Sequence, residues 1–228
     1  MSEKVKNNAN NTLAQMCYEQ INNEIVNGNR KPGEKLKIDL LKNHLNVGQS
    51  PIREALSRLA AHGLVEIENN KGFRVAHISE DQIRDTYAIF TLVEKTALSL
   101  AIEKGDASWQ ARIVGELYKL GLLEHEKKPV PYNVWAEQNG NFHVALISGC
   151  NSPLLLDIRK NLYLKFDRYC RIAYQTCQDT LSTNHEEHKK LAAAVLEKDT
   201  KKALTLITHH INDPLEHIIQ ILKNNKLI

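Results

Sequence analysis

Three of the ten histidines in this chain stand out by helical phase. In the segment from about Tyr132 to Ser148, Asn139 and His143 are four residues apart and share a face with Trp135, Phe142, Leu146 and Ile147. His188 lies on the apolar stripe of Leu191, Ala192 and Val195, and His210 on that of Ala203, Ile207 and Ile211. Asp199 marks the turn between these two stripes, and each histidine is eleven residues from it. An antiparallel helix pair therefore brings His188 and His210 to similar height, both facing inward. Three inward imidazoles on three helices can converge on one point. Neutral imidazole suits zinc, nickel and similar divalent ions, and burying several bare rings without a shared ligand is costly. The alternative is that each is an ordinary hydrogen-bonded core histidine. His209 has the opposite phase, with Lys202, Thr205 and Asp213, and His185 belongs to the start of its helix. An open metal position could activate water. Neither H-E-x-x-H nor a Ser or Cys nucleophile motif is present, and Glu186 and Glu187 sit at other phases than His188. The chain does not read as an enzyme.

A second constellation suits base edges. Ser50 is a good N-cap and Pro51 a good first residue for a helix to His62, which buries Ile52, Ala55, Leu56, Leu59 and Ala60. That leaves Gln49, Ser50, Arg53 and Ser57 on the other side, near the end that enters a major groove. Arg53 can donate two hydrogen bonds to guanine and Gln49 can pair with adenine. Arg58 lies four residues after Glu54, so an ion pair competes with a phosphate contact for it. Two extended runs, Leu64–Glu68 and Gly72–Val75, flank Asn69-Asn70-Lys71 and predict a hairpin. Lys71 and Gly72 at its tip can approach phosphate or the minor groove.

The elements that position these groups follow from periodicity and punctuation. A helix is predicted from about Thr12 to Gly28, then a Lys31-Pro32-Gly33 turn, then a short helix with Ile38, Leu40, Leu41 and Leu45 inward. Together with the capped helix and hairpin this is a winged helix-turn-helix. From Ser79 the chain reads as helix after helix. Ser79-Glu80-Asp81-Gln82 and Thr183-Asn184-His185-Glu186 are capping boxes, Ser108 caps the second helix, Ser152-Pro153 opens the fourth, and Asp199 caps the last. The predicted fold is mainly α: a winged helix-turn-helix followed by an all-α six-helix antiparallel bundle. The predicted boundaries are a disordered extension over 1–11, a DNA-binding domain over 12–77 and a helical effector-binding and dimerisation domain over 79–228.

Composition agrees. The 228 residues are 42% hydrophobic and 25% charged, as in soluble globular proteins. No apolar run approaches the roughly 20 residues that span a bilayer, and the polar N-terminus lacks the apolar stretch of a secretory signal. The four cysteines show no C-x-x-C pairing. A cytoplasmic protein with reduced thiols and no membrane partner is expected. Residues 1–78 hold 11 Lys/Arg against 8 Asp/Glu, whereas the rest hold 19 of each, so the whole excess of +3 lies in the first third. That placement hints at a polyanion partner for that third. A binder without sequence preference would need a stronger charge.

The stretch from Ile25 to Val75 resembles the GntR family of bacterial regulators. The resemblance rests on Gly28, Pro32-Gly33-Glu34-x-Leu36, Val47, Pro51-Ile52-Arg53-Glu54-Ala55-Leu56, Arg58-Leu59, Gly63-Leu64-Val65 and Gly72-Phe73-x-Val75. Relatives usually carry Ser-Arg-Thr where this chain has Gly48-Gln49-Ser50, so its operator sequence cannot be borrowed from them. Asn139-x-x-Phe142-His143, His188 through Ala194 to Asp199, Ala203 and His210-Ile211 resemble the FCD effector domain of the FadR branch. The resemblance implies a homodimeric regulator, more often a repressor, that binds two half-sites of double-stranded operator DNA and responds to a small carboxylic acid. It also implies a divalent metal, zinc or nickel, at Asn139, His143, His188 and His210. Relatives carry an aspartate where Asn139 stands, and a site lacking its own anion favours an anionic effector more strongly. They also often carry an arginine where this chain has Phe90, which leaves Arg168 and Arg171 as candidate effector-binding cations.

Overall fold

The computed structural model describes residues 13–68, 72–125, 130–176 and 185–228. The chain divides into two compact units, the first reaching Ile78 and the second running from Ser79 to Lys226.

In the first unit, α1 (Leu13–Val26) buries Ile21 and Ile25. The short α2 (Ile38–Leu45) ends at Asn46, whose left-handed φ of 51° an asparagine tolerates. The third helix, α3 (Gln49–Ala61), buries Ile52, Ala55, Leu56 and Leu59 in one cluster with the α1 residues. It starts at Gln49 after an N-cap at Gly48, so Ser50 is a first-turn residue and not the predicted cap. Pro51 is accepted there because first-turn N–H groups have no helical partner to lose. Strands β1 (Lys35–Leu36), β2 (Val65–Glu68) and β3 (Gly72–Val75) form an antiparallel sheet in the order β1-β3-β2. The register pairs Leu36 and Ile67 with Phe73 from opposite sides. The hairpin was expected; β1 was not, because two residues carry no period. Gly72 opens β3 at φ 95°, a conformation that costs glycine nothing.

The second unit begins with α4 (Glu80–Lys104) behind the predicted capping box, where Ser79 accepts from the Gln82 N–H and Gln82 answers to Ser79. Next come α5 (Ala107–Glu124), α6 (Tyr132–Ile147), a 3-10 turn over Ser148–Cys150, α7 (Pro153–Thr176), α8 (His185–Leu196), α9 (Thr200–Asn212) and α10 (Leu215–Asn224). The cap of α5 is Asp106, which accepts from the Trp109 N–H three residues on; the predicted cap Ser108 donates to Asp106 instead. Pro214 divides the last predicted helix into α9 and α10, since proline supplies no N–H and crowds the preceding turn. The capping residues Thr183 and Asn184 lie outside the described residues. Helix α4 packs against α7, α9 and the 3-10 turn, α5 against α6 and α8, and α8 against α9. Trp109 ties α5 to α6 by donating to the carbonyls of Ala145 and Leu146.

Candidate functional site

The outer face of α3 carries the four predicted DNA-reading groups. Gln49, Ser50, Arg53 and Ser57 are all exposed, while the opposite face is buried. Gln49 and Arg53 lie one turn apart, and with the Gln49 amide oriented so that its oxygen faces the guanidinium, that oxygen is 2.9 Å from both Nε and Nη2 of Arg53. Arg58 faces elsewhere: it donates to Gln15 on α1 at 2.7 Å, and its guanidinium lies 4.5 Å from the centroid of the Tyr18 ring. The expected Glu54 pair does not form; Arg58 fastens α3 to α1. Gly72 is exposed at the base of the wing tip, and Lys71 lies outside the described residues.

In the second unit, α6, α8 and α9 bring His143, His188 and His210 together, as their phases predict. Nε2 of His143 stands 3.1 Å from Nε2 of His210. Ring centroids are 4.9 Å apart for His188 and His210 and 5.8 Å for His143 and His188. One ligand nitrogen from each ring lies within 4.8 Å of the others. Nitrogens sharing one ion at ~2.1 Å are separated by roughly 3–4 Å, so small side-chain shifts close this ring on a metal. Oδ1 of Asn139 and both ring nitrogens of His188 are buried with no hydrogen bond, Nδ1 of His188 having Glu124 only at ion-pair distance. Unmatched buried acceptors are what a cation would satisfy, so the residues present fit a metal. Burial, then the neighbouring His210, His188 and Arg159, hold His143 well below the ordinary histidine range. Burial also holds His188 low, against the pull of Glu124. Both rings are therefore neutral at neutral pH, the form that ligates.

Two carboxylates stand behind this ring. Glu187 accepts from Nδ1 of His210 at 3.0 Å. Glu124, at the end of α5, accepts from Nδ1 of His185 at 2.8 Å and Nε1 of Trp135 at 3.1 Å, and its Oε1 lies 3.2 Å from Nδ1 of His188. Glu187 reaches His210 although its phase differs from that of His188. His185 is more than part of a helix start, since it helps hold Glu124. Sequence reasoning missed Glu124 altogether.

The histidines form part of the wall of a cavity of about 350 Å³. Five of the chain's thirteen aromatic residues line it: Phe90, Tyr132, Trp135, Tyr163 and Phe166. Arg168 and Arg171 are not among its lining residues. Arg168 is buried elsewhere, and Arg171 is turned to Asp167 at 2.6 Å. The arginine that lines the cavity is Arg159, whose Nε donates to buried Glu94 at 2.6 Å while its guanidinium lies over the Tyr163 and Phe90 rings. A cation was expected from α7, and one is there, two to three turns nearer its N-terminus. Burial raises the Glu94 carboxyl, against the opposing charge and hydrogen bond of Arg159. Cys170, also in the wall, is pushed up to about 12 by burial and is a thiol, not a nucleophilic thiolate.

Comparison with known proteins places both halves. Residues 13–75 match the family described as bacterial regulatory proteins, gntR family, and residues 85–213 match the FCD domain. The chain is 34% identical over 212 residues to the HTH-type transcriptional repressor GlaR of Escherichia coli (strain K12), spanning 91% of this chain and 96% of that protein. It is 32% identical over 212 residues to the uncharacterized HTH-type transcriptional regulator BphR of Paraburkholderia xenovorans (strain LB400), spanning 92% of this chain and 86% of that one. Among solved structures, E. coli McbR/YncC superposes with a TM-score of 0.77 over 92% of this chain and 98% of its own, at 21% identity, which speaks for the fold alone.

Proposed function

Because this chain belongs to the GntR family of bacterial transcriptional regulators and carries an FCD domain after its DNA-binding module, we propose that it is a metal-dependent repressor released by a small carboxylic acid. The observation that carries the reading is the convergence of three imidazoles and the unpartnered Asn139 oxygen on one cavity. Asn139, His143, His188 and His210 would hold a divalent ion, zinc or nickel by the preference of imidazole. When bound, that ion supplies positive charge and an open position for a carboxylate oxygen. The aromatic wall takes the apolar body of the acid, and the cavity is of the size that small-molecule sites have.

On the DNA side, Arg53 and Gln49 read base edges as a bonded pair, with Ser50 and Ser57 beside them and the wing residues Lys71 and Gly72 at the backbone. A homodimer in the cytoplasm places two such helices on the half-sites of an operator. Effector binding shifts the dimer toward a state that binds operator less well. That the similar protein GlaR is named a transcriptional repressor supports repression as the action on the operator. No helix among the described residues is long and apolar enough to cross a membrane.

A thermal-shift screen of mono- and dicarboxylic acids tests the reading, run on the protein as purified and after metal stripping. A ligand that binds only the folded state raises the melting temperature by mass action. One acid should raise it, and stripping should abolish the rise. If no acid shifts either form, the carboxylate sensor is wrong and only DNA binding stands.

A further inference from the structure

The three converging imidazoles and Asn139, which lines the same cavity, bring no carboxylate of their own to the ion position. Anions stand one imidazole further out. Glu124 has no accessible side-chain surface, and among the described residues its partners are His185, His188 and the Trp135 indole, with no lysine or arginine. A buried carboxylate without a cationic partner is expensive unless positive charge is held nearby. The His185 ring, 2.8 Å from Glu124, is one place for such charge, and the far nitrogen of His188 is another. Glu187 stands in the same relation to His210. The Nδ1–H that His210 donates to Glu187 leaves its Nε2 with a lone pair, and the Glu124 carboxylate, 3.2 Å from Nδ1 of His188, favours the same ligating form of that ring.

We propose that Glu124 and Glu187 are the positioning residues of the metal centre, supplying from behind the imidazoles the charge and ring orientation that the neutral Asn139 does not supply at the ion. The proposal rests on the reading that the ring holds a divalent ion. Glu124 has the larger share, because it is the more buried and ties α5 to α6 and α8 through Trp135, His185 and His188. Glu187, with a side chain 41% exposed, has the smaller one.

The test uses the full-length protein, stripped of metal and titrated with Co²⁺, followed by the visible absorption of the ion and by competition with Zn²⁺. Glu124→Gln should weaken Co²⁺ binding about 10–100-fold, and Glu187→Gln by less, within the range for carboxylates behind metal-bound histidines. Adding Asn139→Asp to Glu124→Gln should recover most of the loss, because the anion is returned at the ion itself. Asn139→Asp alone should gain less than it does in the Glu124→Gln background, whereas a purely structural role for Glu124 gives the same gain in both. If wild type binds Co²⁺ and both glutamine variants bind it within twofold of wild type, the inference is overturned while the metal reading stands. If wild type binds no Co²⁺, the metal reading falls and takes the inference with it. Should Glu124→Gln fail to fold, Glu187→Gln on the half-exposed side of the ring decides: unchanged binding there overturns the claim.

Discussion

The outer face of α3 and the wall of the helical cavity both present polar side chains set by helical phase, yet they are built on opposite rules. On α3, Gln49, Ser50, Arg53 and Ser57 project into solvent, and the bond between Gln49 and Arg53 is the one tie that spans two of them. In the cavity three of the functional groups have a carboxylate behind them: Glu94 behind Arg159, Glu187 behind His210, Glu124 behind His188. Exposed groups can change identity at little cost to the fold, so their specificity is free to drift. Buried groups are fixed by partners that would be left unpaired, so changing the ligand chemistry means changing pairs of residues.

Four substitutions break or sharpen this contrast. Glu94→Ala should have the largest effect: it strands a guanidinium that is almost wholly buried, and breaking such a pair costs about 3–5 kcal/mol. Denaturant unfolding reads this as a lowered midpoint, and a loss under 1 kcal/mol would mean Arg159 can reach water. Leu56→Ala supplies the matching core lesion in the first unit, where Leu56 is fully buried. A leucine-to-alanine change there should cost about 2–5 kcal/mol while Co²⁺ affinity of the folded protein stays at the wild-type value. Arg53→Ala should leave stability within about 0.5 kcal/mol of wild type, yet weaken operator binding by about 1–3 kcal/mol and relax preference at one base pair. Fluorescence anisotropy on cognate and mutated operators measures both; a drop in stability instead would show that α3 is held like the cavity. Gln49→Ala should be the mildest, costing about 0.5–1.5 kcal/mol in DNA affinity through the lost hold on Arg53. Its effect should vanish in an Arg53→Ala background, and full additivity of the two would show that Gln49 reads DNA independently.

How far each region could be read in advance follows the same divide. The winged helix and the three histidine phases were legible because an apolar stripe of period 3.6 says which way a side chain points. Phase does not say how far a side chain reaches. Glu187 sits at another phase than His188, yet its carboxylate still spans from α8 to His210 on α9. Glu124 gave no signal, being a helix-terminal acid some sixty residues before the histidines it holds. Charge points to Arg168 and Arg171 on α7, while the arginine in the cavity wall is Arg159, held by buried Glu94. Asp106 as a cap and the break at Pro214 were readable from local rules and were overlooked in favour of Ser108 and an unbroken helix.

The bond between Gln49 and Arg53 has a consequence for how discrimination arises. A free arginine side chain surrenders up to ~2 kcal/mol of rotamer entropy when it docks, and it surrenders that on right and wrong bases alike. A guanidinium already restrained in the unbound protein has given up part of this freedom during folding. Its encounter with DNA then depends more on hydrogen-bond enthalpy, which differs from base to base, and less on a fixed ordering toll that does not.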